Sequence, residues 1–255
     1  MALKTNELKE FLDEKVKKYN NRKFIENDPI SIPHLFTKRK DIEIAGFLIS
    51  IIAWGNRKSI INSGYKLLRL MDNSPYDFVM NHSINDLESM NNFVHRTFNS
   101  EDLKFFIKRL KIIYERHQSL ELLFIPNNEK FLYNNITNFH NLFFSVPHPQ
   151  RTRKHIANPS RNSAAKRINM FLRWMVRKDN NGVDFGIWDK IPSSVLSCPL
   201  DIHSAKTARS LGLLNRNQND LKALYELDIN LRKLDLKDPV KYDFALFGLG
   251  VFENF

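Results

Sequence analysis

Apolar positions along this chain recur at helical spacing, and clusters of Ser, Asn, Asp and Pro separate one stripe from the next. Sustained period-two alternation is missing outside short ambiguous runs, so the pattern predicts an all-α protein. The opening MALKTNELKEFLDEKVKKY reads as a charged amphipathic helix and not as a signal peptide. Residues 41–54 (DIEIAGFLISIIAW) are apolar nearly all round, which marks a buried central helix with Gly55 as its stop. Asn56, Arg57 and Lys58 turn the chain into a second helix carrying Ile60, Ile61, Leu67, Leu68 and Met71, which makes a tight helical hairpin. A helix over 99–123 is expected next, with Ser100 as N-cap and Glu101 and Asp102 in its first turn. The aromatic, Asn-rich and proline-broken stretch 124–160 is expected to be an insertion or a crossover. Further helices are expected over 163–177, after Asp201, over 220–234 and over 239–249. The chain thus reads as one two-lobed helical unit, with lobes over 41–123 and 161–250.

Composition narrows the function. With 42% of its 255 residues hydrophobic, the chain can bury a sizeable core. Its 39 Lys and Arg against 28 Asp and Glu give a net charge of +11, which favours a polyanionic partner, nucleic acid first. The single cysteine, Cys198, excludes an internal disulfide framework and a four-thiolate iron–sulfur or zinc site. A cytoplasmic monomer without metal or cofactor is expected, and no apolar run reaches the roughly 18 residues of a membrane span. None of the eight glycines forms GxGxxG or GxxxxGK(S/T), which removes kinase, ATPase and dehydrogenase readings.

Two segments carry candidate chemistry. PLDIHSAKTARSLGLL (199–214) sets Asp201 as N-cap before one apolar face of Ile202, Ala205, Ala208 and Leu211, with Gly212 as stop. In the helix over 163–177, Ala164, Ile168, Phe171, Leu172 and Met175 share one face, and Lys166, Met170, Arg173 and Arg177 share the opposite one. Neighbouring cations and partial desolvation disfavour an ammonium, and a neutral amine is a nucleophile. Attack of such a lysine on C1′ of a damaged nucleotide would expel the base and leave a Schiff base, while a carboxylate stabilises the oxocarbenium-like sugar. The plainer readings of these segments are a capped helix and a solvated basic face.

PLDIHSAKTARSLGLL resembles the VDTHVxRVxxRLGL stretch of the helix-hairpin-helix/GPD superfamily of DNA glycosylases, whose Asp at this position is catalytic. LISIIAWGNRKSIINSGYKLL (48–68) is similar to the superfamily's early helix pair, and TFNSEDLKFFIKRLKIIYERHQSL (97–120) to a later helix. KRINMFL (166–172) resembles the KTAxxVL that opens the helix bearing the catalytic lysine of bifunctional members, and YDFALFGLG (242–250) the closing helix. The resemblance implies a two-lobed helical glycosylase fold and base excision with AP-lyase activity, with Lys166 as nucleophile and Asp201 as its carboxylate partner. It implies double-stranded DNA holding an oxidised purine such as 8-oxoguanine, flipped from the stack, as substrate. Trp54, Asn56 and Arg57 then fall near the extruded base or its vacated space, and His203 near a phosphate or the carboxylate.

The superfamily hairpin LPGVGxKTA is degenerate here: NPSRNSAAKRIN lacks both glycines. Phosphate contacts are therefore expected from Arg161, Asn162 and Ser163 with the amides at the helix start, joined by Arg173 and Arg177. The cluster cysteines of endonuclease III relatives are absent, so no iron–sulfur cluster is expected. The lysine-to-aspartate spacing, lengthened by a 179–199 loop with Trp188, is similar to the archaeal 8-oxoguanine glycosylase branch. KRINMFLRWMVR and PLDIH also resemble signatures of a bacterial family of unknown function. The alternative is a non-catalytic protein of this fold that binds DNA by shape and charge, or a counterpart directed at RNA.

Overall fold

The protein is described here by a computed structural model covering residues 4–255. Its helices are α1 (Thr5–Tyr19), α2 (Arg39–Ile52), α3 (Arg57–Leu70), α4 (Pro75–Asn81), α5 (Ile84–Ser89), α6 (Ser100–Arg116), α7 (Tyr133–Phe143), α8 (Lys166–Val176), α9 (Ile202–Ser210), α10 (Leu221–Leu234) and α11 (Tyr242–Phe252). Among the described residues the only strands are β1 (Val94–His95) and β2 (Phe98–Asn99), an antiparallel pair with Val94 opposite Asn99. The protein is mostly helical, and no helix among the described residues is long and apolar enough to cross a membrane.

The chain divides into two compact units. One comprises Met1–Phe24, Ile125–Thr137 and Ala157–Phe255, the other Ile25–Phe124 and Asn138–Ile156. The stretch 124–160, expected as an insertion or crossover, supplies core to each. Phe131 and Tyr133 stack with ring centroids 5.0 Å apart in the first unit, while Phe139 and Phe143 pack on Phe47 in the second.

In the first unit, α1 buries the helical stripe Leu8, Leu12, Val16 and Tyr19. Helix α11 packs against both α1 and α9. Gly248 permits the first of these contacts, because a Cβ there would run into the Tyr19 ring. Leu224, Leu227 and Leu231 of α10 complete the cluster, each fully buried leucine contributing about 1.5–3 kcal/mol. Helix α9 begins after Asp201 and stops at Gly212 (φ +71), but Ile202 in its first turn is 77% exposed and not part of the apolar face. Helix α8 starts at Lys166, three residues later than its spacing predicts, because Ala165 sits in the left-handed region (φ 46, ψ 39). Its face of Ile168, Phe171, Leu172 and Met175 is buried as expected. The following loop folds back on it: the Phe185 amide donates to the Trp174 carbonyl at 2.8 Å and the Trp188 amide to Met175 at 2.9 Å.

In the second unit, α2 is buried over almost its whole length, polar Glu43 included. The Glu43 carboxylate accepts from the Tyr114 hydroxyl, from Ser119 Oγ at 2.5 Å and from the Leu120 amide at 3.2 Å. Asn99, not Ser100, caps α6, accepting from the amides of Glu101 and Asp102. That helix ends at Arg116, and Ser119 caps a separate 3₁₀ turn over Leu120–Leu123. Buried Asp102 accepts from Thr152 Oγ1 at 2.7 Å and lies 3.2 Å from His155 Nε2. Burial would raise its carboxyl, but these partners and the Asn99 amide outweigh burial and bring it down to about 2.

Candidate functional site

Asp201 takes the extended backbone of an N-cap (φ −108, ψ −177), and its Oδ1 accepts the Ser204 amide at 2.7 Å. Its Oδ2 lies 3.5 Å from Nζ of Lys166, the first residue of α8. The lysine side chain is 39% exposed and the aspartate side chain 12%. Two residues far apart in sequence are thus brought together, a partly exposed amine against a carboxylate mostly withdrawn from solvent.

The segment that delivers Asp201 is fixed from within the unit. Arg232 donates through Nη2 to the carbonyls of Ser194 and Leu196 at 2.8 and 2.7 Å. Asp228 accepts the Cys198 amide at 3.0 Å and the Tyr133 hydroxyl at 2.8 Å. Burial pushes the Asp228 carboxyl up to about 6, against the opposing charge of Arg232. Behind Asp201, Asp243 of α11 accepts from Arg173 and, at 3.4 Å, from the Ser204 hydroxyl. Burial, opposed by Arg173 and reinforced by the charge of Asp201, pushes Asp243 up to about 6. The Cys198 thiol is fully buried 3.6 Å from Asp243, and burial pushes it well up, which makes it a poor nucleophile.

Arg173 and Arg177 do not share a solvent face with Lys166: each is 3% exposed. Arg173 donates from Nε to Asp184 at 3.1 Å and from Nη1 to Asp243. Arg177 reaches Asp179, Asp184 and Asp238 at 2.6, 3.2 and 3.0 Å. Burial lowers Arg177, but these three carboxylates overcome it and raise the guanidinium above its ordinary value. Asp179 and Asp184 belong to the loop after α8, so the stripe that periodicity places outward is covered by a segment without periodicity. Both arginines are internal counter-ions in a chain of ion pairs that runs from Asp238 through Asp184 to Asp243.

The turn before α8 reaches left-handed geometry without glycine. Asn162 (φ 62, ψ 23) and Ala165 occupy that region, the first a tolerated residue there and the second a strained one. The Asn162 amide donates to Asp220 Oδ2 at 3.0 Å, and Ser163 Oγ accepts the Ala165 amide at 3.2 Å. These two side chains therefore serve the turn, while Arg161 is exposed and Ala165 offers α8 no side-chain cap. Burial pulls the guanidinium of Arg167, next to Lys166, down to about 10. His203 is exposed, its ring edge-on to Phe247 at 6.4 Å.

The remaining sequence candidates lie in the second unit. The Arg96 guanidinium sits 4.6 Å over the Trp54 ring, and His95 meets that ring edge-on at 6.2 Å. Burial lowers His95, which favours a neutral ring that donates from Nε2 to the Trp54 carbonyl at 3.3 Å and accepts at Nδ1 from Ser63 at 2.8 Å. Asn56 caps α3 by accepting the Ser59 amide at 3.2 Å, and Arg57 is its first residue.

Sequence reasoning missed Asp184, Asp228, Arg232 and Asp243. A signal existed for two of them: Asp228 interrupts the stripe Leu224, Leu227, Leu231, and Asp243 opens an otherwise apolar helix, positions where a carboxylate needs a buried partner. No curated protein and no solved structure matches the chain. A family described as "Protein of unknown function (DUF2400)" matches residues 28–252, and the chain belongs to that family.

Proposed function

We propose that this chain is a DNA glycosylase with AP-lyase activity that removes an oxidised purine such as 8-oxoguanine. The observation that carries the reading is the 3.5 Å approach of Lys166 Nζ to Asp201 Oδ2 at a partly exposed position. In the reaction Asp201 takes a proton from the ammonium of Lys166, and the free amine attacks C1′ of the flipped nucleotide. The bond from C1′ to the base nitrogen breaks, its electron pair leaves with the base, and Asp201 passes the proton it took from Lys166 to that base, which restores the carboxylate. Asp201 faces the positive charge that develops on the sugar, a charge-stabilising role that a carboxylate fixed by its own helix performs without reorganisation. Ring opening gives the Schiff base, and loss of a C2′ proton expels the 3′ phosphate.

Arg161 and the first-turn amides of α8 serve the phosphate next to the lesion in this reading. Buried Arg173 neutralises Asp243 behind the pair, buried Arg177 neutralises the carboxylates of the following loop, and in this reading neither contacts DNA. Borohydride reduction on lesion-bearing duplexes tests the proposal, since a trapped adduct that disappears with Lys166→Ala supports it. The use of Asn162 and Ser163 by their own turn favours a second reading, a non-catalytic DNA binder, for which no duplex yields adduct or free base.

A further inference from the structure

From Trp54 to Met71 the chain carries Arg57, Lys58, Lys66 and Arg69 and no acidic residue. Two of these cations open α3, where the helix dipole disfavours positive charge, and no first-turn acid offsets them. Exposed Lys58 stands at a position the dipole disfavours, which a bound anion would offset. Lys58, Asn62 and Lys66 follow one another at i, i+4 and i+8 with Ser59 and Ser63 beside them, so they form one stripe. With Asn56 they line a shallow depression of about 420 Å³ whose wall contains no apolar residue. Lys58 and Asn62 are exposed, and Lys66 is steadied by donating to the Asn92 carbonyl at 2.8 Å. Exposed Arg69 continues the stripe, and Tyr65, 40% exposed, stands next to it.

We propose that this face of α3 is a DNA contact surface, with the phosphodiester backbone running along Lys58, Asn62, Lys66 and Arg69. The lysines and arginine neutralise phosphates, the asparagine and Ser59 donate to phosphate oxygens, and Tyr65 offers an aromatic face beside the strand. A protein partner would need an apolar anchor to bury, and the depression has none. The inference rests on nucleic acid being the partner, and not on the chemistry of Lys166.

The test is binding of the full chain to a short fluorescent DNA duplex across a salt series. Lys58→Ala/Lys66→Ala/Arg69→Ala is compared with Lys17→Ala/Lys108→Ala/Lys130→Ala, which removes the same charge at exposed positions elsewhere. Loss of three phosphate contacts lowers the slope of log K against log salt by about 2.7 and weakens binding at least about tenfold, with a much smaller change in the control. Equal losses in both triples, or none in the α3 triple, would overturn the surface. Circular dichroism of each variant separates lost contact from lost fold. If lesion adducts form through Lys166 while the α3 triple binds normally, this surface fails alone. Where binding depends on α3 but no adduct forms, the surface stands and the glycosylase chemistry fails. A chain that binds no DNA removes both.

Discussion

Replacing Arg173 by methionine removes the cation that Asp184 and Asp243 share inside the first unit. Removing one partner of a buried ion pair costs about 3–5 kcal/mol, because the remaining charge stays buried without compensation. Asp184 keeps Arg177 at 3.2 Å, which places the expected loss near the lower end, about 3 kcal/mol. For a chain of this size that is a fall in Tm of about 6–12 °C. The pH dependence has a definite sign. Asp243 titrates at about 6 in the folded protein against an ordinary 3.8, so its contribution to stability is fully present below 3.8 and is lost as pH rises through about 6. Without Arg173 the carboxyl moves higher still, so acidification from neutral pH toward 5 protonates it and returns part of the deficit. Calorimetric melts of both proteins across that range measure the effect. A variant that melts within about 1 °C of the parent at neutral pH, yet binds DNA more weakly, would place Arg173 on the surface and refute the reasoning.

Ala165→Gly removes a left-handed alanine, worth about 1–2 kcal/mol of strain, at a smaller cost in unfolded-state freedom. The urea midpoint is expected to rise by about 1 kcal/mol equivalent with unchanged m, and a lower midpoint contradicts the strain. Asp102, brought down to about 2 from 3.8, contributes about 2 kcal/mol that is present above 3.8 and is lost as pH falls through about 2. Asp102→Asn should therefore be less stable at neutral pH and show a flatter acid limb in chemical denaturation, and a parallel limb would exclude this role. Asp201→Asn retains the α9 cap, since Asn and Asp cap equally well, and is expected to melt within about 2 °C of the parent while losing turnover. A large drop in Tm would assign Asp201 to folding alone.

Local signals carried most of the helices and the position of Asp201 at a helix start. The all-round apolar run of α2, the amphipathic character of α1, the stop at Gly212 and the cap at Asp201 are properties of a few adjacent residues, and each is found where the pattern puts it, whereas α2 ends at Ile52, ahead of the stop expected at Gly55. The approach of Lys166 to Asp201 was reached through a resemblance, because no periodicity relates α8 to α9. What stayed hidden depends on segments without periodicity. Arg173 and Arg177 looked like surface cations until the loop bearing Asp179 and Asp184 folded over them. The start of α8 was misplaced because left-handed Ala165 is invisible in a residue that normally favours helix.

The most direct test of the central claim is borohydride trapping of the purified chain on duplexes carrying different damaged bases, with Lys166→Ala and Asp201→Asn alongside. The account predicts a covalent protein–DNA adduct on an oxidised-purine duplex, absent with Lys166→Ala and strongly reduced with Asp201→Asn. An adduct that survives Lys166→Ala, or the absence of adduct and of base release on every duplex, would contradict it.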